Sequence, residues 1–154
     1  MLIRKACAAD ARAVADIYLA ARETALPSVK WAHDGPQVLS WIAEALIPAV
    51  GVHVAEENDT LMGFTALQND WVAQLYIHPD HWRRGIGSAL IDFAKSLHPE
   101  GLRLWCFQYN KPAMAFYEGH GFQAIEFTDG HGNEEHEPDI LYAWKGVQPA
   151  TVTR

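Results

Sequence analysis

A glycine turn between a strand-like run and an amphipathic helix is the segment of the chain best suited to bind a ligand. The turn, Gly85-Ile86-Gly87, follows Arg83, Arg84 and the strand-like residues 72–77. The first N–H groups of a helix lack partners and lie at its positive end, and glycine lets a bulky anion approach the main chain. The pattern therefore predicts a phosphate-binding loop to which the arginines add positive charge.

Three kinds of glycine loop compete for this segment. A Walker loop needs a lysine directly after its last glycine, and Ser88 follows Gly87. A dinucleotide fingerprint needs a third glycine where Leu90 stands. The pyrophosphate loop of acyl-CoA-dependent N-acyltransferases, Gln/Arg-x-x-Gly-x-Gly/Ala, matches at both glycines and departs at Trp82. A tight turn that binds nothing is the remaining alternative.

A second segment lies one helix and one strand further along the chain. It contains Asn110, the small residue Ala113, then Phe116-Tyr117-Glu118 and Gly121-Phe122. Together, in this order, the two segments resemble the signatures of the GNAT N-acyltransferase superfamily. The resemblance is strong for residues 72–125 and looser over the rest of the chain.

The elements that position these segments follow from apolar spacing. A helix after Gly85 is predicted by residues that lie on one face at offsets of three and four: Ile86, Ala89, Leu90, Phe93, Ala94 and Leu97. Asp10 is a plausible N-cap of a first helix, a second helix ends near Pro48, and a short one covers 112–118. Strands are predicted at 3–5, 50–55, 61–67, 72–77, 102–107, 122–128 and 140–144.

This element order implies, by resemblance, an α/β (mixed α+β) GNAT fold. It would have a mostly antiparallel, seven-stranded mixed sheet flanked by about four helices, with parallel strands four and five splayed apart. The splay would expose main-chain groups of Leu75, Tyr76 and Ile77 to the pantetheine arm of a cofactor, which binds like an added strand. We expect one catalytic domain at 1–145 and a disordered tail at 146–154.

The resemblance also implies which residues act. Tyr117 is the candidate acid for the leaving thiolate; full transfer from tyrosine, with a pKa of about 10, to a thiol of about 8.5 is uphill by roughly 2 kcal/mol. A backbone N–H near Ile77 would meet the oxyanion. The expected acetyl-CoA contacts are Leu75, Tyr76, Ile77, Arg83, Arg84, Gly85, Ile86, Gly87, Ser88, Asn110, Phe116 and Tyr117.

A general base is not singled out by the sequence. Gln74 can position a water but cannot accept a proton usefully. The candidates are Glu56, Asp70, His33, His78, Glu126, Glu134, Glu135 and His136. His78, His81 and the late cluster from His131 to Asp139 look like metal ligands, but solvated loop charges explain them better, and we predict no metal.

The composition of the chain limits which kinds of partner we expect the protein to bind. The chain has 154 residues, a formal net charge of −7 and two isolated cysteines, Cys7 and Cys106. The charge disfavours nucleic acid and suits cationic amines, while the unpaired thiols and the absence of a signal or membrane-spanning pattern suggest a cytoplasmic protein. A homodimer is compatible with the family resemblance.

We therefore expect an acetyl-CoA-dependent N-acetyltransferase that transfers the acetyl group directly to a primary amine. Cys106 lies inside a predicted strand and is a poor nucleophile candidate. The alternatives are a non-catalytic acyl-CoA-binding or sensor domain on the same scaffold, and a protein that binds ATP or NAD through the glycine loop.

Overall fold

The computed structural model describes residues 1–147, which build a seven-stranded mixed sheet. Its strand order is β1-β2-β3-β4-β5-β7-β6, and every neighbouring pair except β4 and β5 is antiparallel. The strands are β1 (Leu2–Lys5), β2 (Gly51–Glu57), β3 (Thr60–Gln68), β4 (Trp71–Ile77), β5 (Leu102–Phe107), β6 (Gln123–Phe127) and β7 (Asp139–Trp144). This sheet confirms the predicted fold class.

Four helical segments flank the sheet, as predicted. They are α1 (Ala11–Ala25), the continuous run of α2 (Gly35–Trp41), a π turn (Ile42–Leu46) and α3 (Ile47–Ala49), then α4 (Ile86–Leu97) and α5 (Lys111–Gly119). The π turn precedes Pro48, which has no N–H to continue α-helical bonding. Among residues 1–147, no helix is both long and apolar enough to cross a bilayer.

The parallel strands β4 and β5 pair at one end and then separate. Their pairing is recorded at Trp71 and Arg103. The joined end is braced because Arg103 forms a bidentate ion pair with Asp70, at 2.9 and 3.1 Å, and because Trp71 stacks on Trp105. Beyond this point a gap opens through the sheet, as the resemblance implied.

Helices cover both faces of the sheet. Val54 and Ala55 are consecutive in β2 and bury against opposite sides, Val54 with α1 and α2 and Ala55 with α4. The second half of α4 and the aromatic residues of α5 pack with β5 and β7. The gap between β4 and β5 therefore connects the α1 side of the molecule with the α4 side.

Three local expectations differ from the structure. Leu97 is 48% exposed because α4 ends there, although the spacing placed it on the buried face. Asp10 does not cap α1 with its side chain; it accepts from the Cys7 amide and from both terminal nitrogens of Arg4. Val147 donates to the Pro99 carbonyl, so the predicted tail does not begin at residue 146. Its remainder, 148–154, lies outside the described residues.

Replacing Asp10 with asparagine should lower the free energy of unfolding by about 2 kcal/mol at pH 7. Hydrogen bonding from Arg4 lowers the pKa of Asp10 to about 2. A depressed carboxyl pKa stabilises the fold above the unfolded-state value of about 3.9 and loses that contribution as the pH falls toward 2. Urea unfolding should therefore show the difference shrink by about 1 kcal/mol between pH 7 and pH 3. The exposed Asp16→Asn on α1 is the control, and a difference independent of pH would contradict the prediction.

Candidate active site

The loop before α4 has the shape of an anion cradle. Arg83 and Gly85 both adopt left-handed backbone conformations, with φ of 65° and 77°, and α4 begins at Ile86. The amides of residues 83–85 donate to no group within the described part of the chain, and the first amides of a helix have no partners inside it. Several N–H groups are thus free at the positive end of α4, which suits a phosphate.

The two arginines of this loop are in different situations. Arg84 donates to Glu57 at 2.7 Å and contacts Nδ1 of His81 at 2.9 Å. Arg83 is exposed and forms no ion pair with any residue from 1 to 147. Arg83 is therefore the arginine that is free to contact a phosphate, whereas Arg84 holds the loop to the end of β2.

We expect Arg83→Ala to raise the Kd for CoA about tenfold, because one charge-assisted contact to a phosphate is worth about 1.5 kcal/mol or more. Arg84→Ala should change this Kd less and instead lower the thermal midpoint. Isothermal titration with CoA at two salt concentrations measures the Kd of both variants, and thermal unfolding measures their midpoints. Equal Kd values for the wild type and Arg83→Ala would remove Arg83 from the binding site.

Trp82 fastens the same loop to the end of β4. Its indole N–H donates to the Ile77 carbonyl at 2.8 Å, although the side chain is 41% exposed. It also lines the cavity described below. Trp82 stands where the acyl-CoA loop pattern has glutamine or arginine. Here it donates a hydrogen bond to a carbonyl at the edge of the gap.

The hydrogen-bond direction along β4 decides which main-chain groups face the gap. The His78 amide donates to Met62 of β3, and the register pairs Tyr76 with Phe64 two residues earlier. Main-chain groups alternate in direction along a strand, so Leu75 and Ile77 point their amides away from β3 and into the gap. Tyr76 differs from the expectation, since its main chain faces β3 and its ring lines the cavity.

A cavity of about 780 Å³ passes through the gap. On the α4 side its walls include Gly87, and on the α1 side they include Arg22 and Trp31. The edge of β4 and the helix α5 contribute residues between Val72 and Ile77 and the ring of Tyr117. The cavity therefore reaches residues on both faces of the sheet, with Tyr117 in its wall.

Tyr117 lies in a buried aromatic cluster in the wall of the cavity. Its ring packs against Phe116, Phe122 and Tyr142, and its hydroxyl forms no hydrogen bond with the described residues. Burial, with a smaller contribution from Cys106, raises the pKa of Tyr117 well above its ordinary value. The hydroxyl stays protonated at neutral pH and is free to bond to a group in the cavity.

The family assignment follows from a comparison with known families. The family described as the acetyltransferase (GNAT) domain matches residues 48–124, which contain the loop, the gap and α5. The chain belongs to the GNAT acetyltransferase family. It is accordingly an acyltransferase, and the predicted superfamily is confirmed.

The chain is similar along nearly its whole length to proteins of enteric bacteria. The peptidyl-lysine N-acetyltransferase YiaC of Escherichia coli is 28% identical over 96% of this chain and 99% of its own length. Apo YjaB of Escherichia coli has the same fold, with a TM-score of 0.78, 22% identity and coverage of 95% and 98%. YncA of Salmonella typhimurium, solved with its cofactor acetyl-CoA, has a TM-score of 0.69, 22% identity and coverage of 99% and 98%.

The other expected cofactor contacts of the GNAT site have defined local roles. Asn110 caps α5 because its Oδ1 accepts from the Ala113 amide at 3.2 Å, and it also lines the cavity. Ser88 bonds His120 at 3.1 Å, and His120 stacks on Phe116. A Cβ built on Gly87 would lie 3.3 Å from the Phe116 ring, so a glycine keeps this wall open.

All eight candidate bases lie outside the wall of the cavity. Glu56 pairs with Arg4, Asp70 with Arg103, and His33 with Glu134 at 2.9 Å. His78 accepts from the Asp80 amide, and Glu126 is exposed on β6. None of these candidates, nor Glu135 or His136, lines the cavity within residues 1–147, whereas Gln74 does.

Two charged residues of the described cavity wall, Asp139 and Arg22, were not singled out as site residues by the sequence. Asp139 begins β7, and its carboxylate accepts from the Thr128 hydroxyl and from Asn133. Arg22 lies in the last turn of α1. Asp139 carried a weak signal, as the buried end of an acidic loop, but the helical spacing gave none for Arg22.

Metal ligation finds no support in the arrangement of these side chains. The rings of His78 and His81 lie 6.1 Å apart, and Asp80 is the carboxylate that approaches His78. Within the described chain, no three His, Cys, Asp or Glu side chains are grouped as a metal site would require. The absence of a metal remains a prediction.

Proposed function

We propose that this GNAT chain is an acetyl-CoA-dependent N-acetyltransferase that transfers the acetyl group directly to a primary amine. The cavity through the gap between β4 and β5 carries the proposal, because it extends from Gly87, at the start of α4, to Arg22 and Trp31 on the α1 side. The residues 1–145 would form the catalytic domain.

The residues present fit acetyl-CoA. The free amides of 83–88 and the Arg83 guanidinium would hold the pyrophosphate. The amides of Leu75 and Ile77 would pair with the pantetheine arm as a neighbouring strand does. A structural neighbour carries acetyl-CoA as its cofactor, which supports this assignment. Bound acetyl-CoA supplies a thioester carbonyl carbon that is open to attack by nitrogen.

The balance of the reaction follows from the groups in the cavity. A neutral acceptor amine forms a C–N bond to the acetyl carbon, the C–S bond breaks, and the thiolate takes a proton to leave as CoA thiol. The acceptor ammonium has first lost one proton to water, and the proton that the nitrogen loses as the new amide forms balances the one that the thiolate takes. A hydrogen bond from Tyr117 stabilises the departing sulfur, and an amide at Ile77 faces the developing oxyanion.

Direct transfer is favoured over an acetylated enzyme. Cys106 is the thiol in the cavity wall, and burial raises its pKa to about 12. A thiol acts as a nucleophile in its ionised form, and at neutral pH this one is almost entirely protonated. Among the described residues that line the cavity, Asp139 is the carboxylate, and its negative charge favours a cationic amine.

Two measurements test the proposal. Acetyl-CoA at about 100 times its Kd should stabilise the fold by roughly 2.7 kcal/mol, a rise of a few degrees in the thermal midpoint, whereas ATP and NAD should have no effect. Thiol release should then depend on an added amine, tested with free amino acids, small amines and a lysine peptide. Binding of acetyl-CoA without thiol release for any amine would favour the sensor alternative, and a shift with ATP or NAD alone would exclude the acyltransferase assignment of the loop.

A further inference from the structure

A buried arginine lies at the α1 end of the cavity. Arg22 is only 5% exposed, and its guanidinium stacks on the Trp31 ring at 3.5 Å and on the Tyr18 ring at 4.5 Å. Its Nε has no hydrogen-bond partner, and none of the ion pairs among residues 1–147 includes it. Arginine is rarely buried unless it is paired, so this cation lacks its usual counter-charge.

Arg22 borders space that a ligand can reach. Arg22 and Trp31 line the 780 Å³ cavity and also a smaller depression of about 260 Å³ beside His33. The stacking covers a face of the guanidinium, and a planar guanidinium forms its hydrogen bonds through its edge. Besides the Tyr18 side chain, the edge has no polar partner among the described residues.

Among the described residues, no carboxylate forms an ion pair with this guanidinium. Glu134 is engaged by His33 at 2.9 Å on the rim. Glu135 acts electrostatically on Tyr18 and Tyr76, but it forms no ion pair with Arg22 in the part of the chain described here. An anion that enters from the α1 side would therefore meet a guanidinium that no carboxylate pairs, at the end of the cavity where the acceptor enters.

We propose that Arg22 binds a carboxylate of the acceptor, so that the substrate class is an amine that also carries a carboxylate. This inference rests on the proposed function. A guanidinium and a carboxylate form two parallel hydrogen bonds, which fixes the acceptor and directs its amine toward Tyr117. The carboxylate belongs either to a free amino acid or to an acidic residue of a peptide, and both present the same chemistry to Arg22.

Matched acceptors test the proposal. The wild type should acetylate free L-amino acids with a kcat/KM at least tenfold above that of their carboxamides. Lysine peptides with a neighbouring aspartate, compared with the asparagine versions, reveal whether the carboxylate comes from a peptide. A preference for the acid in either pair supports the proposal and assigns the source. Equal kcat/KM for acid and amide in both pairs would overturn it.

The Arg22→Gln variant separates binding from folding. It should raise the KM of the preferred acid about 10- to 100-fold, with little change for the matched amide. Arg22→Lys, which keeps the charge and lacks the fork, should recover part of the preference. Arg12→Gln, an exposed site on the same helix, should behave as wild type. An equal loss for acid and amide in Arg22→Gln would mean that Arg22 acts only by packing, which contradicts the proposal.

A binding measurement distinguishes this inference from the proposed function. If acetyl-CoA binds and no amine is acetylated, the proposed activity fails. NMR titration of the CoA-bound protein with N-acetyl-L-phenylalanine and its carboxamide then tests Arg22 alone. Binding of the acid by the wild type and not by Arg22→Gln would support the carboxylate site. Absence of binding to the wild type would overturn it.

Discussion

Replacing Tyr117 with phenylalanine should lower kcat about 100-fold or more while the Kd for acetyl-CoA stays within about twofold. A positioned proton donor contributes about 10²- to 10⁴-fold to a rate, and the substitution removes only the hydroxyl. The ring contacts with Phe116, Phe122 and Tyr142 remain, so the fold and the cavity wall are kept. Steady-state kinetics with acetyl-CoA and isothermal titration with CoA measure the two quantities.

Tyr142→Phe is the matched control because its hydroxyl also lies in the aromatic cluster but donates to Glu118 at 2.7 Å. It should lose about 1 kcal/mol of stability and retain kcat. If Tyr117→Phe turned over at the wild-type rate, Tyr117 would have no part in the proton transfer.

The pH dependence of the wild type gives a second test of the same hydroxyl. Since burial raises the pKa of Tyr117, the protonated donor persists above pH 10, where an ordinary tyrosine would lose its proton. An acid is active below its pKa, so kcat should show no alkaline fall between pH 8 and pH 10. A fall in kcat centred below pH 9.5 would contradict the role of Tyr117 as the donor.

Substitution of Gly87 should weaken cofactor binding about 10-fold for alanine and about 100-fold or more for valine. The added Cβ would lie 3.3 Å from the Phe116 ring and 3.8 Å from Ile77, on the wall that the cofactor follows. Alanine is a better helix former than glycine, so the helix itself does not oppose the change. The weakening comes from lost contacts between the free amides and a charged phosphate, each worth about 1.5–3 kcal/mol.

Gly119→Ala provides the control, because a Cβ at Gly119 meets no atom within 4 Å. Isothermal titration with CoA should give it the wild-type Kd. The double variant Gly87→Ala with Phe116→Leu replaces the facing ring with a smaller side chain. It should recover part of the affinity for CoA. Unchanged affinity in Gly87→Val would show that CoA does not approach this turn.

The sequence predicts the fold well where the structure depends on the spacing and turn chemistry of neighbouring residues. The glycine turn at Gly85 and the apolar face of α4 are set by neighbouring residues, and both lie where the sequence placed them. The turn at 58–59 adopts positive φ at both positions, as a tight hairpin requires. The gap between β4 and β5 followed from family resemblance, since no local pattern predicts where two parallel strands separate.

Parts of the site that depend on tertiary contacts could not be predicted. In the sequence, Arg22 is an ordinary polar residue of α1. Its environment depends on Trp31, which the fold places over its guanidinium. The direction of the Tyr76 main chain depends on the register with β3, which is set 12 residues away at Phe64. The partner of His33 lies 101 residues later in the chain.

The His33–Glu134 bond joins the loop after α1 to the loop before β7, and residues of both segments line the cavity. Both side chains are more than half exposed, and such a link contributes about 1 kcal/mol or less. It is then broken in about a sixth or more of the molecules at any moment. The His33–Glu134 bond by itself therefore holds the two loops together only weakly at this rim of the cavity.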